Sequence, residues 1–520
     1  MKKQLDKFQV VEDVKKVSKI FKKEFPNSKE FITRDYYRSH GEYGKSIDKI
    51  FGSFKNALSE IFKINSGKGR DEINVCKVAK SIKGKRFFVS AIIAGEEVDE
   101  KYFKSIETYA EKQNAEIVLL TMRGISNKAR FSDDIIKRYG KYFCTEYNFN
   151  SNLKAIDFLL VPSQIVSLTG ISRMSKKNQS LIVAHSKLSL EVLPSRIGDY
   201  PSLTYSTGCI NNAKYKQDRI GKIASLDHCK SGLIIEIEND KKFYIRTIQA
   251  DKFGGFVDLG IYYRQNDISK MKSSIVLGDS HFSSEDKIAH KAAKEIIEYV
   301  GCKKVYFNDL FDCQSVSHHL DKNLFGKYQR DDYQKKLEDE LLYLGKCLED
   351  FCKHIEDRQF ISIPSNHTEH LIRYMTEGRF TQDIPENAKL ACELFVQYLE
   401  GSDPIYYFLK SRKFKIPKIL FPKREDAIIE SGYDIIHGDF AQNGTKGNIK
   451  SFDRSFNKSI SAHTHTPKIF RDSVSVGCLC KLQQNYNKKC PSSWLHNVGV
   501  VYENSTFQLI NIINGIWKLS

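Results

Sequence analysis

The stretch Ala462-His463-Thr464-His465-Thr466, followed by Pro467, decides how the rest of the chain is read. Two histidines at i and i+2, followed by Thr-Pro, are not a helix pattern, because a helix groups side chains three and four residues apart. They read as a loop at a strand end that aims two imidazoles at two ions. Four more short polar blocks precede it, each closing an apolar run. They are Gly278-Asp279-Ser280-His281, Asn308-Asp309-Leu310-Phe311-Asp312, Ser365-Asn366-His367 and His437-Gly438-Asp439. Singly each is a weak signal. In this order they read as the ligand set of a two-metal phosphoesterase.

The apolar runs ahead of these blocks place them on strands. Ser274 to Leu277, Lys303 to Phe307, Phe360 to Ile363, Tyr433 to Ile436 and Ser459 to Ala462 are the expected strands. Between them, helices are expected over Ser284 to Val300, with Ile288, Ala292, Ile296 and Val300 on one face, and over about Arg330 to Ile355. Alternating strands and helices predict an open α/β sheet whose strand ends share one edge, where such sheets place their sites.

Residues 69–272 predict an α/β middle domain. Arg86 to Ala94 is strand-like, Glu100 to Lys112 helical and Glu116 to Leu120 strand-like. Further strands are expected at Leu181 to Ala184, Gly232 to Ile237, Phe243 to Ile248 and Phe256 to Tyr263. Thr207-Gly208-Cys209-Ile210 is a candidate functional turn. Asp227-His228-Cys229 is a candidate ligand set, against the commoner structural role of a single histidine.

Residues 1–68 predict a small helical module. Val10, Val14, Val17 and Phe21 recur at helical spacing up to Phe25-Pro26-Asn27-Ser28, and further helices are expected over Phe31 to Ser39 and Ser46 to Phe62. Ser66-Gly67-Lys68-Gly69-Arg70 reads as a linker. Exposed Arg34, Tyr36, Tyr37, Arg38, Lys45, Lys49 and Lys55 suit DNA contacts. From Ile32-Thr33-Arg34 through Phe51-Gly52-Ser53-Phe54 to Leu58, the stretch resembles the small helical repeat found beside homing endonuclease domains. A bundle that packs on the next domain is the alternative.

Composition bounds the function. The chain has 520 residues, long enough for two to four domains. Lys and Arg exceed Asp and Glu by 82 − 64 = 18, which favours a polyanionic partner, with DNA as the expected one. No apolar run reaches the length of a membrane span, and no apolar segment follows the Met-Lys-Lys start, so neither a membrane nor a secretory route is expected. The 12 scattered cysteines suit reduced thiols in a cytoplasmic protein. Oligomeric state stays open, a homo-oligomer included.

The five blocks together resemble the calcineurin-like metallophosphoesterase superfamily over residues 273–520. The resemblance implies an αββα sandwich of two packed mixed sheets flanked by helices. It implies two divalent ions, Mn²⁺ first among them and Mg²⁺ an alternative. Asp279, His281 and His465 would hold one ion; Asn366, His437 and His463 the other; Asp309 would bridge. His367 would protonate the leaving oxygen as general acid, with a bridging hydroxide as nucleophile. Asn308, Ser365 and Ala462 stand where that family usually has Gly. Thr368 stands where an acid is frequent, and Glu369 is the candidate substitute. Asp312 is expected behind the ligands, and His318 and His319 are candidate substrate contacts.

Phosphoesterases of this kind include phosphatases, nucleotide phosphodiesterases and DNA nucleases. Net charge, the helical module and the mass ahead of the catalytic region favour a DNase. The layout resembles phage-encoded metallophosphoesterases, including pre-early DNases that degrade host DNA in some tailed phages; the site of action would then be the host cytoplasm. The alternatives are a phosphatase or small-nucleotide phosphodiesterase, and a DNA-binding regulatory protein with a vestigial metal site.

Overall fold

The computed structural model describes residues 7–26, 32–43, 47–51, 53–62, 84–126, 128–174, 178–196, 198–317, 332–484, 487 and 489–519. The chain divides into two compact units, residues 1–74 with 128–141, and residues 75–127 with 142–520.

The first unit is helical where described. Helix Lys7–Glu24 buries Val10, Val14, Val17 and Phe21, one residue per turn of its apolar stripe. Thr33 accepts the Tyr36 N–H and starts helix Arg34–His40. The expected third helix splits into Ile47–Phe51 and Phe54–Phe62. Ser53 accepts the Asn56 N–H and caps the second piece. Tyr37, expected at the surface, is buried instead. Its hydroxyl donates to Asp13 at 2.7 Å, and a Cβ on Gly41 would fall 2.4 Å from its ring. The linker at 66–70 lies outside the described residues.

The second unit is a mixed α/β structure built on two large sheets. The eleven-stranded sheet runs in the order Ile419–Leu420, Gln359–Ser362, Lys304–Asn308, Ser273–Asp279, Asn497–Tyr502, Phe507–Asn511, Phe243–Gln249, Ser231–Ile237, Arg86–Ile93, Ala115–Met122 and Phe143–Cys144. The ten-stranded sheet runs in the order Ile429–Glu430, Tyr433–Ile435, Ser459–Ser461, Ser473–Ser475, Lys468–Phe470, His185–Leu193, Ser202–Gly208, Ser180–Val183, Leu153–Ile156 and Glu146–Asn150.

These sheets pack face to face across one core. Val276, Tyr306 and Ile361 of the first sheet share it with Ile435, Ile460 and Val474 of the second. Ile275, Leu277, Val305 and Phe307 alternate to the other face. There they meet helices Lys287–Val300, Leu337–Cys352, Asn366–Thr376, Pro385–Leu399 and Pro404–Ser411. Both faces are covered, which is why these strands read as unbroken apolar runs.

Helix Lys287–Val300 starts later than expected, because Asp286 caps it by accepting the N–H groups of Ile288 and Ala289. Its buried face is also rotated. Ile288 is 62% exposed, and Ala289, Ala292, Ala293, Ile296, Ile297 and Val300 are buried. The expected strand Phe256 to Tyr263 is a hairpin, Phe256–Asp258 and Ile261–Arg264, turning at Leu259 and Gly260 with positive φ.

The expected boundary at residue 272 falls inside continuous sheets. Strand Phe243–Gln249 pairs with Phe507–Asn511, and Lys468–Phe470 pairs with His185–Leu193. Buried side chains cross the same seam: Gln508 donates to Asp258 at 2.9 Å and Asn511 to the Tyr205 hydroxyl at 2.9 Å. Residues 84–126 and 142–272 supply strands to both sheets and share the core between them, with a small cluster of Leu168, Ile171, Leu181 and Val183 beside it. Among the described residues, no helix is long and apolar enough to cross a membrane, and every cysteine is a free thiol.

Candidate metal centre

The five polar blocks meet at one place, but from two sheets. Ser273–Asp279, Lys304–Asn308 and Gln359–Ser362 run parallel in the first sheet. Tyr433–Ile435 and Ser459–Ser461 run parallel in the second. The site therefore sits between the carboxyl ends of two facing sheets, where a single sheet edge was expected. An apolar run shows that a strand exists and not which sheet it joins.

Asp279, His281, Asp309, His437 and His465 are buried; Asn366, His367 and His463 are partly exposed. At the buried pole His281 Nε2 faces His465 Nε2 at 3.2 Å, and His465 Nε2 lies 3.0 Å from Asp279 Oδ2. At the open pole His437 Nε2 lies 3.1 Å from Asn366 Oδ1 and 3.2 Å from His463 Nδ1. Asp309 Oδ2 stands between the poles, 3.4 Å from His281 Nε2 and 3.4 Å from His437 Nε2. Ligand atoms of Asp279, His281, Asp309 and His465 all fall within 4.8 Å of one another.

The backbone is strained where these side chains are aimed. His281, Asp309, His463 and His465 all hold positive φ, between 41° and 65°. That region is costly for residues with a Cβ and clusters at functional sites. Gly278 is also required. A Cβ there would lie 2.7 Å from the Gly477 carbonyl and 2.8 Å from that of Asn497.

The two rings of the buried pole are held from behind. Asp312 grips His281 Nδ1 through Oδ1, and its Oδ2 accepts from the Ser284 hydroxyl at 2.9 Å. A carboxylate behind an imidazole fixes its tautomer and raises its basicity. Cys480 Sγ lies 3.9 Å from His465 Nδ1, and the Trp494 ring packs on His465 with centroids 4.0 Å apart. His281, His465 and Cys480 form a further group with metal-ligand spacing. Sequence reasoning missed Cys480 and Trp494. The only signal for Cys480 was its nearness to Cys478.

The centre calls for positive charge. Burial alone would discharge His281, but Asp312 and Asp309 beside it raise it to about 10. His465 is raised well above its usual value by Asp279, again against burial. Asp309 is held far below the carboxylate range; burial opposes this, and His437, His367 and His281 outweigh it. His463 moves down through burial and the neighbouring His437. Asp309 Oδ1 and His437 Nδ1 are buried and make no hydrogen bond. Buried groups left this way are costly unless a ligand completes them. Carboxylates, imidazoles and one amide oxygen are a donor set for divalent cations such as Mn²⁺ or Zn²⁺, and the residues fit such a cation.

His367 opens helix Asn366–Thr376. Ser365 and Thr368 form a capping box that fixes this turn. Thr368 thus has a structural duty. His367 Nδ1 donates to the Asp312 carbonyl at 3.0 Å, and its ring meets His281 with centroids 4.9 Å apart. Glu369, the candidate partner of His367, turns away and pairs with Arg424 at 3.2 Å. A carbonyl takes the place expected for a carboxylate.

Other candidates stand elsewhere. His318, His319 and Lys45 lie outside the described residues. Arg34 pairs with Asp48, Arg38 and Lys49 are exposed, and Lys55 lies on helix Phe54–Phe62. Asp227 is held by Lys187 at 2.6 Å and Arg471 at 2.7 Å; His228 contacts the Asn211 carbonyl at 2.8 Å and the Tyr215 hydroxyl at 3.0 Å. That stretch is structural. Gly208, with φ of 68°, leaves room for Ser231, whose Oγ would lie 1.7 Å from a Cβ.

No protein-family model matches the chain. A solved crystal structure overlies 46% of this chain and 99% of its own at 10% identity, and its TM-score of 0.22 carries no argument. Protein A1 of Escherichia phage T5 is 25% identical over 470 residues, covering 83% of this chain and 82% of that protein. The chain is thus similar, over most of its length, to a phage protein.

Proposed function

We propose that the chain is a phage-encoded, metal-dependent DNase with a calcineurin-like αββα metallophosphoesterase centre. The position of Asp309 Oδ2, 3.4 Å from a histidine of each pole, carries this reading. Asp279, His281, His465 and Asp309 would hold one ion; Asn366, His437, His463 and Asp309 would hold a second. Bound there, two divalent ions supply Lewis acidity at the phosphoryl oxygens and acidify water. The chain's own residues do the rest. Asp312 keeps His281 in one tautomer. The Asp312 carbonyl accepts the Nδ1–H of His367, which leaves Nε2 as the titrating nitrogen; in the imidazolium form the Nε2 proton goes to the departing oxygen and the ring is left as the neutral Nδ1–H tautomer. The partly exposed face of Asn366, His367 and His463 is the side from which a phosphodiester enters.

The excess of 18 positive charges supports a polyanionic substrate. Exposed Arg38 and Lys49 of the helical unit are proposed to contact the DNA backbone. A substrate panel tests the reading: plasmid DNA, linear DNA, p-nitrophenyl phosphate and a cyclic nucleotide, each with Mn²⁺ or with EDTA. Cleavage of DNA in the Mn²⁺ arm alone is expected. Turnover of the monoester or the cyclic nucleotide with inert DNA would make the protein a phosphatase or nucleotide phosphodiesterase. Tight DNA binding without hydrolysis under any metal would make the centre vestigial.

A further inference from the structure

The segment after His437 does more than carry that histidine. From Asp439 the chain folds back on itself in a tight turn. Ala441 N–H donates to the Thr445 carbonyl at 2.7 Å, Gly447 N–H donates to the Asp439 carbonyl at 3.0 Å, and Phe440 faces Lys446 across the turn. Phe440 is 52% exposed. A lone exposed aromatic is ordinary; the setting of this one is not. It is three residues from a candidate ligand, and the Arg424 guanidinium lies 4.7 Å from its ring centroid.

Arg424 is locked in that place. It pairs with Asp439 and, at 3.2 Å, with Glu369. Asp439 lies two residues after His437, and Glu369 two residues after His367, so one guanidinium ties the loop after His437 to the first turn of helix Asn366–Thr376. The two carboxylates neutralise it, which makes it a poor phosphate ligand and a good platform. Its planar cation braces Phe440 by cation–π contact. Lys446 is exposed beside the ring and supplies the free positive charge.

We propose that Phe440, braced by Arg424, stacks on the nucleobase next to the cleaved bond of a polynucleotide. The inference rests on the DNase reading and makes that reading more specific. Base–aromatic stacking tolerates any sequence, because every base has a π face. It therefore suits an enzyme that degrades DNA without a recognition site. Methyl p-nitrophenyl phosphate carries a methyl group where the flanking nucleoside would be and would gain nothing from this contact.

The test uses the full chain with Mn²⁺ as wild type, Phe440→Ala and Phe440→Tyr. Substrates are a single-stranded oligonucleotide with one cleavable phosphodiester among methylphosphonate linkages, the same strand with one abasic nucleotide beside that bond, and methyl p-nitrophenyl phosphate. For Phe440→Ala, the ratio of kcat/KM on the oligonucleotide to that on the aryl diester is expected to fall about tenfold, mostly through KM. Phe440→Tyr should restore it, and the abasic strand should erase the difference between wild type and Phe440→Ala. An unchanged ratio, or a fall that survives the abasic nucleotide, overturns the inference and leaves the DNase reading standing. Wild-type turnover of the aryl diester with no cleavage of DNA overturns both.

Discussion

His281 Nε2 and His465 Nε2 lie 3.2 Å apart, pointing at each other inside a buried pocket. Two neutral imidazoles gain little from this approach unless a proton or a cation sits beside both nitrogens. Ligands of one ion at about 2.1 Å, set at right angles, lie roughly 3 Å apart. The carboxylates of Asp279, Asp309 and Asp312 supply the negative charge that draws such a cation in. Against burial, Asp312 and Asp309 hold a proton on His281 and raise it to about 10. Metal affinity is accordingly expected to rise with pH as that proton is displaced.

Ligand and acid roles separate by substitution. Asp309→Ala should lose metal and activity together, because its Oδ2 serves both poles. His367→Ala should keep metal and lose about 10²- to 10⁴-fold in turnover, the usual range for a positioned general acid. Calorimetric metal titration beside a DNA cleavage assay distinguishes them. Equal metal loss in both variants would contradict the division.

Asp312 is expected to act through His281. Asp312→Asn keeps the shape but removes the charge behind His281 Nδ1. Metal affinity should fall about 10- to 100-fold, as is common for a partner that orients a metal-binding histidine. Isothermal titration with Mn²⁺ measures this, and unchanged affinity would show that the contact is not needed.

Gly278 precedes Asp279 in a place where any Cβ meets two carbonyls at 2.7 and 2.8 Å. Gly278→Ala should destabilise the fold by about 1–3 kcal/mol, the usual range for overpacking, and displace Asp279. Thermal melting with and without Mn²⁺ reads both effects. A wild-type melting temperature would mean that the Gly477 loop gives way freely.

Glu340 gives a pH test away from the ligands. It is buried, and accepts from Ser283 Oγ at 3.0 Å, Gln314 N–H at 2.8 Å and Ser315 N–H at 2.8 Å. It thereby joins the loop after His281 to the loop after Asp312. Burial raises it to about 7, against those donors. A carboxyl raised in the folded state favours folding when protonated. Its contribution is full below about 4.5, falls through the window up to about 7, and is absent above that. The size is on the order of 3 kcal/mol. Glu340→Gln should flatten that part of the stability–pH curve, and an unaltered slope would refute the assignment.

The loops of the candidate site were legible in the sequence because each polar block ends a largely buried strand. Ile275, Val276 and Leu277 are apolar on both faces, so the jump to Asp279 stands out. Strand pairing was not legible. Nothing in Phe243–Gln249 or His185–Leu193 announces that their neighbours lie more than 250 residues away, at Phe507–Asn511 and Lys468–Phe470. Hence the sequence predicts one sheet edge for the five ends and a separate domain for residues 69–272. The pattern puts Ile288 on the buried stripe, but the stripe that packs on the core is Ala289, Ala292, Ala293, Ile296, Ile297 and Val300. Cys480 and Trp494 carry no motif; only the fold brings them onto His465.

The most direct test of the account is a Mn²⁺ titration of the purified chain, followed by electron paramagnetic resonance and by DNA cleavage at each step. Two ions per chain are expected, giving the coupled spectrum of a bridged pair, with cleavage appearing as the second ion binds and vanishing on chelation. Fewer than two ions, or cleavage that persists in EDTA, would contradict it.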